Sequence, residues 1–407
     1  MDHFKMVSKK SQLQASCKGT TLIKLNKMDK EFVTRLKDNA IFQMSLSSKE
    51  LFHSNFLSYL AGNANTRDVF ASVLKDCFGM ADWNPKEMDV AREHKHFDFS
   101  ICRKEGKDEQ ILFVLENKFK SIAYKEQLEK YKEETPDSQH VLLTLARDFL
   151  DKEEIAKSGW KIVTYQEYIK ALRSAATNMQ ECFDKQVVIH YCDFVETLDQ
   201  AINDKLTEAA NNKETTWAVL DDPDFQELRC NDIWQKLLMH QCAQKLTALV
   251  KEAFPNKNVK HYDPDTWTKE QEADIFVRVA YYHSQALVET RLLLPTGVKF
   301  CVQQQGNTPL SVGIAIKSSD IKDGIDKQTK KADKKGKWNN ALKERIDKYG
   351  LTSIMGLAKG QTYNSFQAAG NEGFFYIRKE HTDDTIECTL NQMIELTKEA
   401  IELSSKK

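Results

Sequence analysis

Glycine and proline are scarce, 15 and 7 among 407 residues. That excludes collagen, mucin-like stalks and other low-complexity classes. Long apolar runs are missing as well. The longest, such as Ile111–Leu115, span five residues, against the roughly 20 that a membrane-crossing helix needs. Lys9 and Lys10 have no apolar stretch behind them, so no secretory signal is expected. Neither sign of charge is in excess: 59 Lys plus Arg face 60 Asp plus Glu, for a net charge of −1. A globally basic, nucleic-acid-coating protein is thereby excluded, and affinity for a polyanion must come from a local groove. None of the nine cysteines forms a Cys-x-x-Cys pair, which argues against a zinc knuckle or dithiol redox motif. Scattered single thiols fit a reducing cytoplasm. The phosphate-cradling Gly-x-x-x-x-Gly-Lys-Ser/Thr loop is missing, so no nucleoside triphosphate partner is expected. Gly-x-Ser-x-Gly is missing too.

What is present is a chain with 41% hydrophobic and 29% charged residues, enough for a sizeable core and long enough for two domains. Apolar residues at helical spacing (Phe32, Leu36, Phe42, Leu51, Phe52, Phe56, Leu60) predict helix over 30–62, with a second helix over 66–78. The period then changes. Residues 94–101 alternate like a strand, Gly106 supplies a turn, and 110–116 is apolar on both faces, as in a central buried strand. Helix is predicted over 122–134, strands over 139–145 and 161–165, and helices over 166–177 and 180–208, with a connector at 209–216. Beyond a helix at 231–253, the runs 274–280, 286–294, 298–305, 310–317 and 373–379 read as an antiparallel meander, closed by a helix at 387–404. The expected class is α/β: an N-terminal tail and leading helix (1–40), an α/β unit (41–208) and an α+β accessory unit (217–407) with an antiparallel sheet.

The informative stretch is Asp98 together with Glu116-Asn117-Lys118. Side chains on a strand alternate faces, so Glu116 and Lys118 share one and Asn117 points away. On the preceding strand Asp98 shares its face with His94, His96 and Ser100, while Phe97, Phe99 and Ile101 take the other. A hairpin around Gly106 then sets Asp98 beside Glu116. Burying such charges is costly unless they are paired or bound to metal. Two adjacent carboxylates suit Mg²⁺ or Mn²⁺. The plainer alternative is that Glu116 and Lys118 mark where the strand leaves the core.

The ordered set resembles the PD-(D/E)XK nuclease superfamily, in particular bacterial and phage members with an E-N-K strand. The resemblance covers about 45–200. It includes Glu50-Leu-Phe-His-Ser-Asn-Phe-Leu on the first helix, Phe97-Asp98-Phe99, Val114-Leu-Glu-Asn-Lys118, Gln127-Leu-Glu-Lys-Tyr131 and Trp160-Lys-Ile-Val-Thr-Tyr. Phe97 stands where the family name has proline. The resemblance implies a restriction-endonuclease-like core and a Mg²⁺- or Mn²⁺-dependent nuclease. Asp98, Glu116, the Asn117 carbonyl and Glu50 would hold metal, and Lys118 would orient the attacking water. Gln127 would join the catalytic group, and Gln127, Tyr131 and His96 would touch nucleic acid. Glu50 has a second reading, since Ser47-Ser-Lys-Glu50 also forms a helix capping box. His53 and Ser54 read as supporting or packing residues.

Residues 317–345 carry ten Lys plus Arg against five Asp plus Glu. Lys330, Lys331, Lys334 and Lys335 could meet backbone phosphates and Trp338 could stack on a base, or the segment could be a solvated loop. Asp274 with Glu289-Thr-Arg291 faintly echoes the first half. The expected function is a cytoplasmic DNA nuclease in defence against foreign DNA or in DNA processing, with RNA left open as substrate. The alternative is a catalytically silent nucleic-acid- or protein-binding module on the same fold.

Overall fold

The run Asp108–Lys118 alternates fully apolar positions toward two different helical layers, and the first sheet is built around it. The computed structural model describes residues 30–45, 50–105, 108–119, 121, 123, 125–145, 152–262, 273–282, 285–294, 299–317, 346–347, 350–356, 364–367 and 372–405. The first sheet has five strands in spatial order: β1 (Met88–His94), β2 (Phe97–Glu105), β3 (Asp108–Lys118), β4 (Gln139–Thr144) and β5 (Trp160–Thr164). β1, β2 and β3 pair antiparallel, whereas β3, β4 and β5 run parallel. The helices of this half are α1 (Lys30–Asp38), α2 (Ala40–Ser45), α3 (Glu50–Gly62), α4 (Arg67–Val73), α5 (Lys125–Glu134), α6 (Lys152–Lys157), α7 (Tyr165–Ala176) and α8 (Phe183–Asn211). A second sheet follows α9 (Pro223–Glu227) and α10 (Asn231–Ala253). Its strands are β6 (Val259–Tyr262), β7 (Ile275–Tyr282), β8 (Gln285–Leu293), β9 (Lys299–Gln305), β10 (Leu310–Lys317), β11 (Asn364–Gln367) and β12 (Glu372–Lys379), in the order β11-β12-β10-β9-β8-β7-β6. The short helix α11 (Thr352–Met355) precedes β11, and α12 (Ile386–Ser405) closes the described chain. The architecture is mixed α/β, as expected, and no helix among the described residues is long and apolar enough to cross a membrane.

β3 shows why the period matters. Phe113 and Leu115 are fully buried in one cluster with Phe56, Leu57 and Leu60 of α3, Phe70 of α4 and Phe194 of α8. Val114 points the other way, into a second cluster with Leu128 and Tyr131 of α5, Leu142 of β4 and Trp160. Each such side chain gains about 1.5–3 kcal/mol on burial. The strand is thus clamped from both sides before it reaches Glu116.

Several expectations shift. The helix expected over 30–62 is three helices. Asn39 breaks it, with Oδ1 accepting from the Phe42 backbone N–H (2.9 Å) and Nδ2 donating to the His190 carbonyl (2.8 Å). The second helix gives way to a wide π turn, Leu74–Phe78, closed by Gly79 at φ +90°. A Cβ there would be strained by that angle and would sit 3.1 Å from the Gln139 amide. The expected strand at 94–101 is two strands. His94 ends β1, and Lys95 and His96 make the turn with φ of 51° and 74°. His94 and His96 therefore do not lie on the strand face of Asp98. The turn was hidden because it uses no Gly, Asn or Asp, the residues that take left-handed φ most readily. Phe97, just after the turn, packs with Val114 and Tyr131 and not with Phe99. α8 runs into the expected connector, to Asn211. The second sheet gains two four-residue strands, β6 and β11, and β6 pairs parallel with β7, so the sheet is not a pure antiparallel meander. The basic stretch with Lys330, Lys331, Lys334, Lys335 and Trp338, and Ser47 of the capping-box reading, lie outside the described residues.

α7 starts on a complete capping box. Thr164 Oγ1 accepts from the Glu167 N–H (3.1 Å), and Glu167 Oε2 accepts from the Thr164 N–H (2.8 Å). Thr164→Ala is expected to lower stability by about 1 kcal/mol, read as a lower urea midpoint with an unchanged slope. An unchanged midpoint would show that the cap contributes nothing.

Candidate active site

The site lies where β3 leaves its two helical layers. β2 and β3 pair with Phe99 opposite Leu115 and Ser100 opposite Val114. The register carries Asp98 to Glu116, and a hydrogen bond fixes it: Asp98 Oδ2 accepts from the Asn117 backbone N–H at 2.7 Å. Glu116 is only 2% exposed and Lys118 8%. Their side chains meet at 2.8 Å, Lys118 Nζ to Glu116 Oε1. The same Oε1 accepts from Gln127 Nε2 of α5, also at 2.8 Å. Glu116 Oε2 is buried and has no hydrogen-bond partner among the described residues.

The electrostatics follow from burial and from a local surplus of carboxylates. Desolvation pushes the Glu116 carboxyl up to about 7, although Lys118 pulls the other way. Burial also raises Asp98, against the Asn117 N–H and Lys118. Burial alone would lower the Lys118 ammonium, but Glu116, Glu50 and Asp98 together raise it. Burial and charge together thus favour the protonated forms of Asp98, Glu116 and Lys118.

α5 supplies a second tie. Gln127 Nε2 also donates to Tyr131 Oη (2.9 Å), one turn along the helix, and Tyr131 Oη donates to the His96 carbonyl (3.1 Å). The Tyr131 ring meets Phe97 edge to face at 5.1 Å. Gln127 thus holds the Glu116 strand, while Tyr131 holds the turn that leads into Asp98. His96 itself is exposed in that turn.

Glu50 opens α3. Its Oε1 accepts from both the backbone N–H (2.9 Å) and the Oγ (2.7 Å) of Ser121. Its carbonyl accepts from Asn117 Nδ2 at 3.0 Å. Asn117 Oδ1 in turn accepts from Tyr165 Oη at 2.6 Å. Ser121 carried no recognisable signal in the sequence, and Tyr165 stood out only as the end of the segment Trp160-Lys-Ile-Val-Thr-Tyr, with no role attached. Ser121 lies 71 residues from Glu50 and Tyr165 lies 48 from Asn117.

Other candidates go elsewhere. His94 Nε2 bonds Glu109 Oε2 at 2.8 Å. His53 is buried, stacked on Phe119 at 3.8 Å, with Nδ1 2.9 Å from Tyr191 Oη. Asp274 accepts from the Asn258 N–H, whereas Glu289 is buried between Arg278 and Arg291 further along the second sheet. The echo of the first half does not assemble.

Among the described residues no group of three or more His, Cys, Asp and Glu side chains is gathered as a metal cage. The donors at hand are the Asp98 and Glu116 carboxylates, and the orphaned Glu116 Oε2 is an acceptor that a hard cation can take. No curated protein and no solved structure matches the chain. Residues 38–193, which span α2 through the start of α8 and hold Asp98, Glu116 and Lys118 at the end of the mixed sheet, match the model described as the PD-(D/E)XK nuclease superfamily.

Proposed function

We propose that the protein is a divalent-metal-dependent nuclease that hydrolyses phosphodiester bonds of DNA. The observation that carries the reading is the buried Asp98–Glu116–Lys118 cluster with its orphaned Oε2. Asp98, Glu116 and the Asn117 carbonyl would hold Mg²⁺ or Mn²⁺, with Glu50 completing the acidic set. When bound, such an ion stabilises the charge that develops on the scissile phosphate and eases the ionisation of water. Gln127 and Lys118 both occupy Oε1 of Glu116, which leaves Oε2 for the cation. Lys118, kept protonated by its carboxylate neighbours, orients the attacking water and offsets charge on the phosphate. Gln127 fixes Glu116, and Tyr131 fixes the His96 turn at the edge of the substrate path. In this reading residues 41–208 form the nuclease unit. Residues 217–407 form an accessory unit for target recognition or sensing, and Lys330, Lys331, Lys334, Lys335 and Trp338 contact nucleic acid. Among the described residues the cysteines form no disulfide, which supports a reducing, cytoplasmic setting. Defence against foreign DNA or DNA processing is the corresponding role.

Cleavage of supercoiled, linear duplex and single-stranded DNA in Mg²⁺ and then Mn²⁺ tests the activity. Wild type should cut, and Lys118→Ala should lose on the order of 10²-fold or more, as when one charge-stabilising group is removed. Equal cutting by both proteins would exclude this site. No cutting by either would favour a silent binding module.

The metal reading has a pH signature. A carboxyl whose pKa is raised on folding stabilises the fold below its ordinary range and loses that contribution as the pH rises through its folded value. For Glu116 that window runs from 4.5 to about 7. The cation needs the ionised form, so the Mg²⁺-dependent rise in melting temperature should be small near about pH 6 and large near about pH 8. Asp98→Ala should abolish the rise at both. An equal rise at both pH values in wild type would sink the assignment of Glu116.

A further inference from the structure

The side chain of Asn117 faces away from the acidic pair, yet it is fully buried, and its backbone N–H, Nδ2 and Oδ1 are all hydrogen-bonded. Its N–H holds Asp98 on β2, its Nδ2 holds the Glu50 carbonyl at the start of α3, and its Oδ1 takes the Tyr165 hydroxyl at the start of α7. Three elements that are distant in sequence thus meet on one residue between Glu116 and Lys118. Tyr165 is itself fixed. It is 1% exposed, it follows the Thr164 cap directly, and its ring lies edge to face against Phe119 (4.8 Å) and His53 (5.4 Å). A buried amide of this kind can meet its hydrogen-bonding needs in only one arrangement of its neighbours.

We infer that Tyr165 and the Asn117 side chain are positioning residues: they brace the first turn of α3, and with it Glu50, against the strand that carries Glu116 and Lys118. The inference rests on the metal-dependent nuclease reading for its consequence, but the brace can be tested without metal. Loss of the Tyr165 hydroxyl leaves Asn117 Oδ1 buried without its donor. The amide then relaxes, the Glu50 carbonyl loses its partner, and the acidic residues are no longer held at one spacing.

Tyr168 provides an internal control. It lies three residues along α7, is fully buried, and its hydroxyl has no hydrogen-bond partner among the described residues. Tyr165→Phe and Tyr168→Phe remove the same atom from the same helix, and only the first touches the brace. Two readouts on the full chain separate them. Hydrogen exchange of the peptide covering Glu50–Phe56 should quicken about tenfold in Tyr165→Phe and stay unchanged in Tyr168→Phe. Mn²⁺ affinity, read by electron paramagnetic resonance of the free ion, should fall about tenfold or more in Tyr165→Phe alone, the scale seen when a group supporting metal ligands is lost. If the two variants behave alike in both readouts, the brace is refuted. If the peptide loosens only in Tyr165→Phe but wild type binds no Mn²⁺, the brace stands and the metal reading falls. Should Tyr165→Phe not fold, Asn117→Asp removes the Nδ2 donor with little change of shape. It should loosen the same peptide, and an unchanged peptide would refute the Glu50 link.

Discussion

The site depends on one costly placement, the Glu116 carboxylate held 2% exposed at the end of a strand that is packed on both faces. Desolvation works against its charge, and Lys118 at 2.8 Å only partly offsets that, so the carboxyl still titrates near neutrality. Both residues move upward in pKa, Glu116 chiefly through its burial and Lys118 through the carboxylates around it. A protein built for stability alone would gain by replacing such a pair with apolar side chains. The surplus negative charge at a strand end is instead what a bound cation would neutralise.

Glu289 in the second sheet shows the contrast. It is equally buried, but it lies between two guanidinium groups, from Arg278 and Arg291. Its strand spacing, Glu-Thr-Arg, mirrors Glu-Asn-Lys. The difference lies in the neighbours. The carboxylate that the sequence offered as its partner, Asp274, binds the Asn258 backbone instead. Glu289 is closed by positive charge, whereas Glu116 keeps an oxygen without a partner. Similar period-two spacing therefore yields a structural ion pair in one sheet and a chemically open one in the other.

How much of this was legible in the sequence depends on how local each signal was. The shared face of Glu116 and Lys118 follows from strand period alone, and the helical spacing of Gln127 and Tyr131 follows from the turn of α5. The antiparallel pairing of β2 with β3 was legible and set Asp98 beside Glu116. What failed was local structure without its usual residues. The turn at Lys95–His96 adopts left-handed φ with a lysine and a histidine, so it displaced His94, His96 and Phe97 from their expected faces. Asn39 interrupts a continuous helical pattern through tertiary contact with His190. β6 and β11 have four residues each, too few to show a period. Ser121 and Tyr165 reach the site only through contacts set by the finished fold.

Alternation also divides the work on β3. Residue 116 projects toward α5, where Gln127 meets it, residue 118 shares that face and pairs with Glu116, and residue 117 projects toward α3 and α7. The odd member of Glu-Asn-Lys is thus not a spacer. A strand that carried only its two charged residues would place them on one face but would leave Glu50 to whatever position α3 happened to take. With asparagine between them, the strand that bears the chemistry also sets the distance to the helix facing its other side. A carboxamide suits this task because it donates to a carbonyl and accepts from a hydroxyl at once, without adding charge to a cluster that already has too much. Aspartate in its place would bring a further carboxylate to a cluster that already holds three, and an apolar residue would leave the Tyr165 hydroxyl and the Glu50 carbonyl without this partner in the core.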